Sequence, residues 1–182
     1  MRLRRRDIRE LVFKALFANE FRGGRETAKK SKRASGRAVT AAKEKESLGA
    51  EAEHEALKQL AYIALDYELA DCAQEEIKDI ARVIDNEYAK SLIEGVQARK
   101  LELDSVISAY SVGWELGRLG AAELCVMRIC LYEMLHGEKL APAIAINEAM
   151  DLAKKYCAPE AAAFVNGILG KKALELAGEA AK

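Results

Sequence analysis

This chain has little proline, few aromatic side chains and no long apolar run. Only two prolines, Pro142 and Pro159, occur in its 182 residues, and aromatic residues make up 6%. Because proline interrupts helices, its scarcity in an alanine-rich chain favours helix. The longest apolar stretch, around residues 124–135, contains Arg128 and Glu133, which argues against a transmembrane span. No apolar alternation of period two is present, and the sequence therefore predicts an all-α protein of one domain.

The cysteines and histidines are few and dispersed, and they form no C-x-x-C pair. We therefore expect no zinc site, and we expect the cysteines to be free, reduced thiols. With no signal peptide, the pattern predicts a cytoplasmic protein. We also find no glycine-rich phosphate loop, no G-x-S-x-G and no nucleophile near either histidine, so no catalytic function and no cofactor are predicted. The residues concerned are Cys72, Cys125, Cys130, Cys157, His54 and His136.

Charge is divided unevenly along a chain whose formal net charge is zero. Residues 1–50 hold 15 Lys and Arg against 6 Asp and Glu, a balance of +9. Residues 51–182 hold the remaining 14 against 23, a balance of −9. A basic arm on an acidic body indicates a polyanionic partner, with nucleic acid the first candidate. A solvated tail that only aids solubility is the alternative.

Apolar residues recur every 3.6 positions over residues 4–21, which predicts a first helix ending before Gly23 and Gly24. Residues 22–56 hold only two residues of the Leu/Ile/Val/Phe class, so we predict a mobile or frayed basic insertion there. Residues 57–182 are predicted as a helical body that forms one domain with the basic helix of residues 1–21.

Within the helical body, the apolar period and the proline and glycine positions predict the limits of the helices. The helix at the centre should be buried, since it is apolar on nearly every side. The predicted limits are a helix from Leu57 to near Asp71, a long helix from Ile77 to about Tyr110, a turn at Ser111–Gly113, a bend at Gly117–Gly120, the central helix Ala121–Leu135 closed by Gly137, and two helices whose first turns hold Pro142 and Pro159.

Four phrases occur in an order that resembles the NusB family of bacterial transcription antitermination factors. They are R-R-D-I-R-E-L-V-F-K-A-L-F in the first helix, W-E-L-G-R-L at Trp114–Leu119, M-R-I-C-L-Y-E-M-L at Met127–Leu135, and the pair I-N-E-A-M-D-L-A-K-K-Y and F-V-N-G-I-L-G-K within Ala143–Lys171. The resemblance implies a fold of two packed three-helix bundles. The sequence departs from the family pattern at two places. One is the basic insertion, and the other is Cys157, which stands where the family commonly has glycine at a helix end.

The resemblance also implies a function. Members bind boxA, a short single-stranded element of ribosomal-RNA transcripts, together with the NusE ribosomal protein in the RNA polymerase antitermination complex. Two other functions stay open: the RNA-binding module of a ribosomal-RNA methyltransferase, for which this chain would have to be a fragment, and a helical protein-interaction scaffold. A homodimer is not excluded, since some relatives self-associate.

The candidate RNA-binding residues are basic or aromatic. Arginines at the start of the first helix are suited to phosphates and unpaired bases, and they lie at the end of the helix dipole that is unfavourable for cations. Phe17 is a candidate stacking ring, with core packing as the alternative, and Arg99–Lys100 form a second basic pair that solvation alone would also explain. The candidates are Arg4, Arg5, Arg6, Arg9, Lys14, Phe17, Arg99 and Lys100.

A second set of residues is predicted to be structural. Arg128 lies in a nearly all-apolar helix, so a carboxylate should pair with it, with Glu133 or Glu148 as the expected partner and RNA binding as the alternative. Two asparagines with apolar neighbours are expected to bond between helices, and Gly167 and Gly170 are expected to allow close helix approach. The set is Arg128, Asn147, Glu148, Asn166 and Gly167.

Overall fold

The computed structural model of the chain describes residues 4–31, 86–111, 113, 115–137 and 140–180. The described residues form helices and no strand, which confirms the all-α prediction. The helices are α1 (Arg5–Ser31), α2 (Glu87–Ala98), α3 (Lys100–Tyr110), a 3-10 turn (Leu116–Arg118), α4 (Ala121–His136), α5 (Pro142–Tyr156) and α6 (Pro159–Ala180). None of these helices is long and apolar enough to cross a membrane.

Helix α1 runs through the glycine pair at which we predicted a break. It continues from Arg5 to Ser31, so the predicted end before Gly23 was wrong. Each helical glycine costs up to about 1 kcal/mol relative to alanine, which weakens a helix without ending it. Neighbouring Ala, Arg, Glu and Lys are good helix formers, and the glycine pair is followed by such residues. The rest of the predicted basic insertion, residues 32–56, lies outside the described residues.

The predicted long helix from Ile77 to Tyr110 is in fact two helices over its described part. Helix α2 ends at Ala98 and α3 begins at Lys100, with Arg99 between them at φ −105° and ψ 16°. The backbone hydrogen bonds from the Arg99 N–H to the Gly95 carbonyl and from the Leu103 N–H to the Arg99 carbonyl are kept. The apolar period therefore passes through the turn unchanged, and periodicity alone did not reveal it. The predicted end at Tyr110 is confirmed, whereas the predicted helix from Leu57 to Asp71 lies outside the described residues.

The chain divides into two compact units, Met1–Glu94 and Gly95–Lys182. In the first unit, one apolar face of α1 and the apolar residues at the start of α2 are buried. Every fourth or third position of α1 from Ile8 to Leu16 contributes, which is the pattern of an amphipathic helix. The buried residues are Ile8, Val12, Phe13, Ala15, Leu16, Ala89, Leu92 and Ile93.

Helix α4 is the centre of the second unit, as predicted. Its nine consecutive residues from Cys125 to Glu133 are all buried, and α4 packs against α3, α5 and α6. Gly95 allows the closest approach in this unit: a Cβ added there would overlap the ring of Tyr132 on α4. A side chain at position 95 and the tyrosine ring therefore compete for the same space.

Local chemistry explains most of the helix ends. Asn86 caps α2, accepting bonds from the N–H groups of Tyr88 (3.0 Å) and Ala89 (3.3 Å) through its side-chain oxygen. Pro142 and Pro159 open α5 and α6, as predicted. Gly113 has φ +81° in the turn after α3, a conformation that favours glycine.

Two helices end without a left-handed residue. Gly137 follows α4 in an extended conformation, with φ −74°, and a Cβ there would meet the backbone of Glu133. Cys157 follows α5 with φ −105° and ψ 164°, so that end also needs no left-handed residue. The predicted difference from the family at Cys157 is therefore explained by an extended helix exit, which any residue can adopt.

Candidate nucleic-acid interface

Three consecutive arginines lie at the exposed start of α1. Arg4, Arg5 and Arg6 are each exposed, and their side chains project from the first turn and the residue before it. The Arg4 carbonyl accepts the first helical hydrogen bond, from the Ile8 N–H at 3.1 Å, so Arg4 caps the helix. Three guanidinium groups within one turn make a concentrated positive charge that is accessible to an anion.

Asp7 organises the first of these arginines. Its carboxylate accepts a bond from the Arg4 backbone N–H at 3.2 Å and from the Arg4 guanidinium at 3.1 and 3.2 Å. The hydrogen bond from the Arg4 side chain holds the pKa of Asp7 below its ordinary value, and the same contact raises the pKa of Arg4. The backbone bond is half of a capping box, in which the third helical residue reaches back to the capping residue. Asp7 therefore fixes Arg4 and offsets part of the positive charge.

Arg9 differs from the three arginines before it because it is buried. Only 4% of the residue is exposed, and its guanidinium carbon lies 5.5 Å from the centre of the Tyr88 ring. The guanidinium carbon of Arg5 lies 5.0 Å from the centre of the same ring. Arg9 thus does not continue the exposed basic face that the sequence suggested, because the apolar period of α1 turns it inward. The structure brings Arg5 and Arg9 together over one aromatic ring.

Lys14 and Phe17 lie further along α1, and both are half-buried. The Lys14 ammonium is 3.7 Å from a carboxylate oxygen of Glu10, one helical turn earlier. The Phe17 ring stacks on that of Phe13, with centroids 5.9 Å apart and planes at 20°. Since Phe13 is 2% exposed, this stacking favours the core-packing alternative for Phe17, and its role as a platform for a base stays a prediction.

The second basic pair lies at the turn between α2 and α3. Arg99 and Lys100 are both exposed. The Arg99 guanidinium is 3.8 Å from the carboxylate of Glu102, and the same carboxylate lies 2.9 Å from Nε2 of His136 at the end of α4. Glu102 therefore offsets part of the positive charge of this pair.

Arg128 is buried and paired with a carboxylate, as we predicted. Its guanidinium donates to both carboxylate oxygens of Asp104 on α3, at 2.7 and 2.9 Å. Arg128 is 5% exposed, and so is not accessible to RNA. Asp104 was not among the partners that we expected, because the sequence does not show which residues of another helix lie opposite Arg128. The pairing of Arg128 with Glu133 or Glu148 stays a prediction.

The predictions for the two asparagines and the two glycines were wrong. Asn147 on α5 and Asn166 on α6 are exposed, so their side chains are not the buried hydrogen-bonding groups that we expected between helices. A Cβ added at Gly167 or Gly170 would meet no atom within 4 Å, so neither glycine allows a close approach within the described part of the chain. The apolar neighbours that suggested burial lie on more than one side of each helix, and so they do not identify the face on which the asparagine lies.

The described cysteines are free thiols, as expected: Cys125 and Cys130 are buried and Cys157 is partly buried, while Cys72 lies outside the described residues. Burial, and secondarily the charge of Glu123, raises the pKa of Cys157 to about 11. Among the described residues, no group of three or more His, Cys, Asp and Glu side chains could hold a metal ion.

Three residues with roles in these contacts were not singled out from the sequence. Asp7 was detectable, because an acidic residue three positions after a helix start is half of a capping box. Tyr88 lies within the long helix that we predicted from Ile77 to about Tyr110, and only its distance from two arginines reveals its role. Asp104 was detectable only in principle, since its partner lies 24 residues away in the sequence.

Comparison with known proteins agrees with the fold. A sequence model described as the NusB family matches residues 50–173, which is more than half of the chain. A structure of NusB from T. maritima superposes with a TM-score of 0.62 at 26% identity, covering 96% of this chain and 94% of that one. These are all-helical proteins, and the chain belongs to the NusB family of transcription antitermination factors. The arginines of α1 lie before the matched residues.

Two curated relatives carry the name transcription antitermination protein NusB. The protein of Acetivibrio thermocellus is 41% identical over 87 residues, which is 48% of this chain and 60% of the relative. That of Clostridium botulinum strain Loch Maree is 37% identical over 106 residues, which is 58% of this chain and 69% of the relative. The aligned part of the chain thus spans between three-fifths and seven-tenths of these relatives.

Proposed function

We propose that this protein is an RNA-binding, non-enzymatic antitermination factor of the cytoplasm. It binds boxA-like single-stranded RNA of ribosomal-RNA transcripts, with the NusE ribosomal protein as partner in the RNA polymerase antitermination complex. Membership of the NusB family supports the class of function. The single observation that carries the RNA contact is the exposed row Arg4, Arg5 and Arg6 at the start of α1.

Guanidinium groups suit this role for two reasons. Their planar, permanently charged fork donates two parallel hydrogen bonds to a phosphate, and their flat faces stack on unpaired bases. The family match supports a single-stranded target, whose bases are accessible for such stacking. We assign phosphate contacts to Arg5 and Arg6, which are exposed on the first turn of α1. At Arg4 a phosphate would compete with Asp7, whose carboxylate binds the guanidinium in the free protein.

The remaining candidates have secondary roles in the proposal. Lys14, Arg99 and Lys100 each add positive charge that attracts RNA, and Phe17 offers an aromatic ring. Arg9 is buried, so we assign it no direct contact with RNA. Each exposed phosphate contact should contribute to the salt dependence of binding by counterion release, with a slope of about −0.7 per contact for a single strand.

The test is a titration of labelled boxA RNA and of a scrambled RNA of equal composition, with and without NusE, at several salt concentrations. Arg5→Gln with Arg6→Gln should weaken boxA binding by roughly 10-fold or more and reduce the salt slope by about 1.4. Lys171→Gln, which removes an exposed charge on α6, is the matched control and should leave both quantities nearly unchanged.

Helicity measured by circular dichroism should be the same in all three proteins, because the changed side chains are exposed. Equal affinity of the wild-type protein for boxA and scrambled RNA, with or without NusE, would refute the proposal. Binding of NusE that is indifferent to RNA would instead favour the interaction scaffold.

A further inference from the structure

Two arginines of α1 share one tyrosine ring of α2 within the Met1–Glu94 unit. The guanidinium carbons of Arg5 and Arg9 lie 5.0 and 5.5 Å from the centroid of Tyr88. Both distances fall inside the range of about 6 Å at which a cation is attracted to the face of an aromatic ring. Arg5 and Arg9 are four residues apart, so they lie on the same side of the helix, where like charges repel. The ring offsets that repulsion.

The backbone that carries the Tyr88 ring is held by the N-terminal cap of its own helix. Tyr88 occupies the first turn of α2, where its backbone N–H bonds to the side-chain oxygen of Asn86 at 3.0 Å. The neighbouring Ala89 bonds to the same oxygen at 3.3 Å and is 1% exposed. These contacts hold the backbone from which the Tyr88 ring projects. The ring lies beneath the guanidinium groups of Arg5 and Arg9.

The two arginines use this ring differently. Arg9 is 4% exposed and stays inside the protein, whereas Arg5 is exposed and belongs to the basic row at the start of α1. A guanidinium interacts with an aromatic ring through its face and with a phosphate through the N–H groups at its edge. Contact with Tyr88 is thus compatible with RNA binding by Arg5, and it restricts the side-chain freedom that binding would otherwise remove.

From these contacts we propose that Tyr88 is a positioning residue for RNA binding. It orients the Arg5 guanidinium toward the RNA, and Arg9 completes the arrangement from the buried side without touching the ligand. This inference rests on the proposed function, because it concerns the same basic row. It adds an aromatic residue of α2 to the basic row at the start of α1.

The test compares four variants by the boxA titration. Tyr88→Leu removes the ring face and should weaken boxA binding by about 2- to 5-fold, the equivalent of a cation–ring contact near the surface. Tyr88→Phe and Tyr88→Trp keep a ring face and should bind within about 2-fold of the wild type, with Trp at least as tight as Phe. Arg5→Gln is the comparison for a direct contact.

The salt slope separates positioning from contact. Arg5→Gln should reduce the slope by about 0.7, because one phosphate contact is lost. Tyr88→Leu should leave the slope unchanged, because the number of contacts is the same and only their geometry loosens. A purely structural role for Tyr88 would not restore affinity in the order of ring strength.

A folding defect is detected by the thermal midpoint and circular dichroism of each variant. If Tyr88→Leu is unstable, Asn86→Ala serves as the second variant: it loosens the first turn of α2, keeps the ring, and should weaken binding at constant slope. Wild-type affinity in a folded Tyr88→Leu, or equal loss in the Phe and Trp variants, would overturn the inference while the proposed function stands. A wild-type protein that does not discriminate boxA from scrambled RNA would remove both.

Discussion

Arg128 and Asp104 form a two-pronged ion pair between α4 and α3, with both bonds shorter than 3 Å. The side chains are 6% and 15% exposed, so water screens the pair poorly. Burial of two charges has a large desolvation cost, which their mutual bonds offset only while both partners are present. The pair fixes which side of α3 faces α4.

Removal of one partner should therefore be more harmful than removal of both. Asp104→Ala should lower the free energy of unfolding by about 3–5 kcal/mol, because it leaves the Arg128 charge buried. The double variant Arg128→Met with Asp104→Leu should recover most of that loss. Urea titration followed by circular dichroism measures both, and Glu175→Gln, which removes a surface ion pair with Lys172, should cost less than about 1 kcal/mol. Equal losses for Asp104→Ala and the control would contradict the argument.

Two helical glycines should respond to alanine in opposite directions. Gly95→Ala places a Cβ against the Tyr132 ring, and such overpacking typically destabilises by about 1–3 kcal/mol. Gly167→Ala meets no neighbouring atom, and it should stabilise by about 0.4–1 kcal/mol, since alanine loses less conformational freedom in a helix. Thermal melting shows directly whether each variant is more or less stable than the wild-type protein. Destabilisation by Gly167→Ala would show that something packs on that face.

The start of α1 should weaken in acid through Asp7. Because the folded-state pKa of Asp7 lies below its ordinary value, its contribution is complete above the unfolded pKa, near 4. That contribution is lost as the pH falls through the folded pKa. The protection of the first-turn amides, which is the ratio of intrinsic to observed exchange rate, should therefore fall below about pH 4. In Asp7→Asn the corresponding step should be absent, and an unchanged acid step in that variant would rule out Asp7 as its cause.

Cys157 should be a slow nucleophile despite its partial exposure. With a pKa of about 11 in place of 9.0, its thiolate fraction at pH 8 falls by roughly 100-fold, and the thiolate is the reactive form. Peptide-resolved alkylation by iodoacetamide at pH 8 should be slow in the folded protein and fast in denaturant. Glu123→Gln should accelerate it, because the nearby negative charge is removed. Alkylation of native Cys157 at the rate of a free thiol would contradict this pKa.

Features that depend on neighbouring residues in the sequence were predictable. The starts of α5 and α6 follow from Pro142 and Pro159, whose fixed φ suits a first helical turn. The burial of α4 follows from apolar residues on every side. The family resemblance rested on ordered phrases, and the match over residues 50–173 confirms it.

Features that depend on how helices meet were not predictable from one sequence. The partner of Arg128 is decided by the packing of α3 on α4, and the same holds for the inward turn of Arg9. In α5 and α6, apolar residues lie on several sides of Asn147 and Asn166, so the apolar period did not tell the exposed face from the buried one. Helix α1 continues through Gly23 because the residues that flank the glycine pair favour helix. Their favourable helix propensities offset the cost of the glycines, so the expectation that a glycine pair ends a helix was wrong here.

The exposed Asn166–Gly167 step in the middle of α6 has a consequence for the chemical lifetime of the protein. Asparagine followed by glycine is prone to deamidation, in which the next backbone nitrogen attacks the side-chain carbonyl. In α6 that nitrogen is committed to the helical hydrogen-bond ladder, so the reaction must wait for the helix to open. The rate at which Asn166 deamidates would then report how often this helix opens.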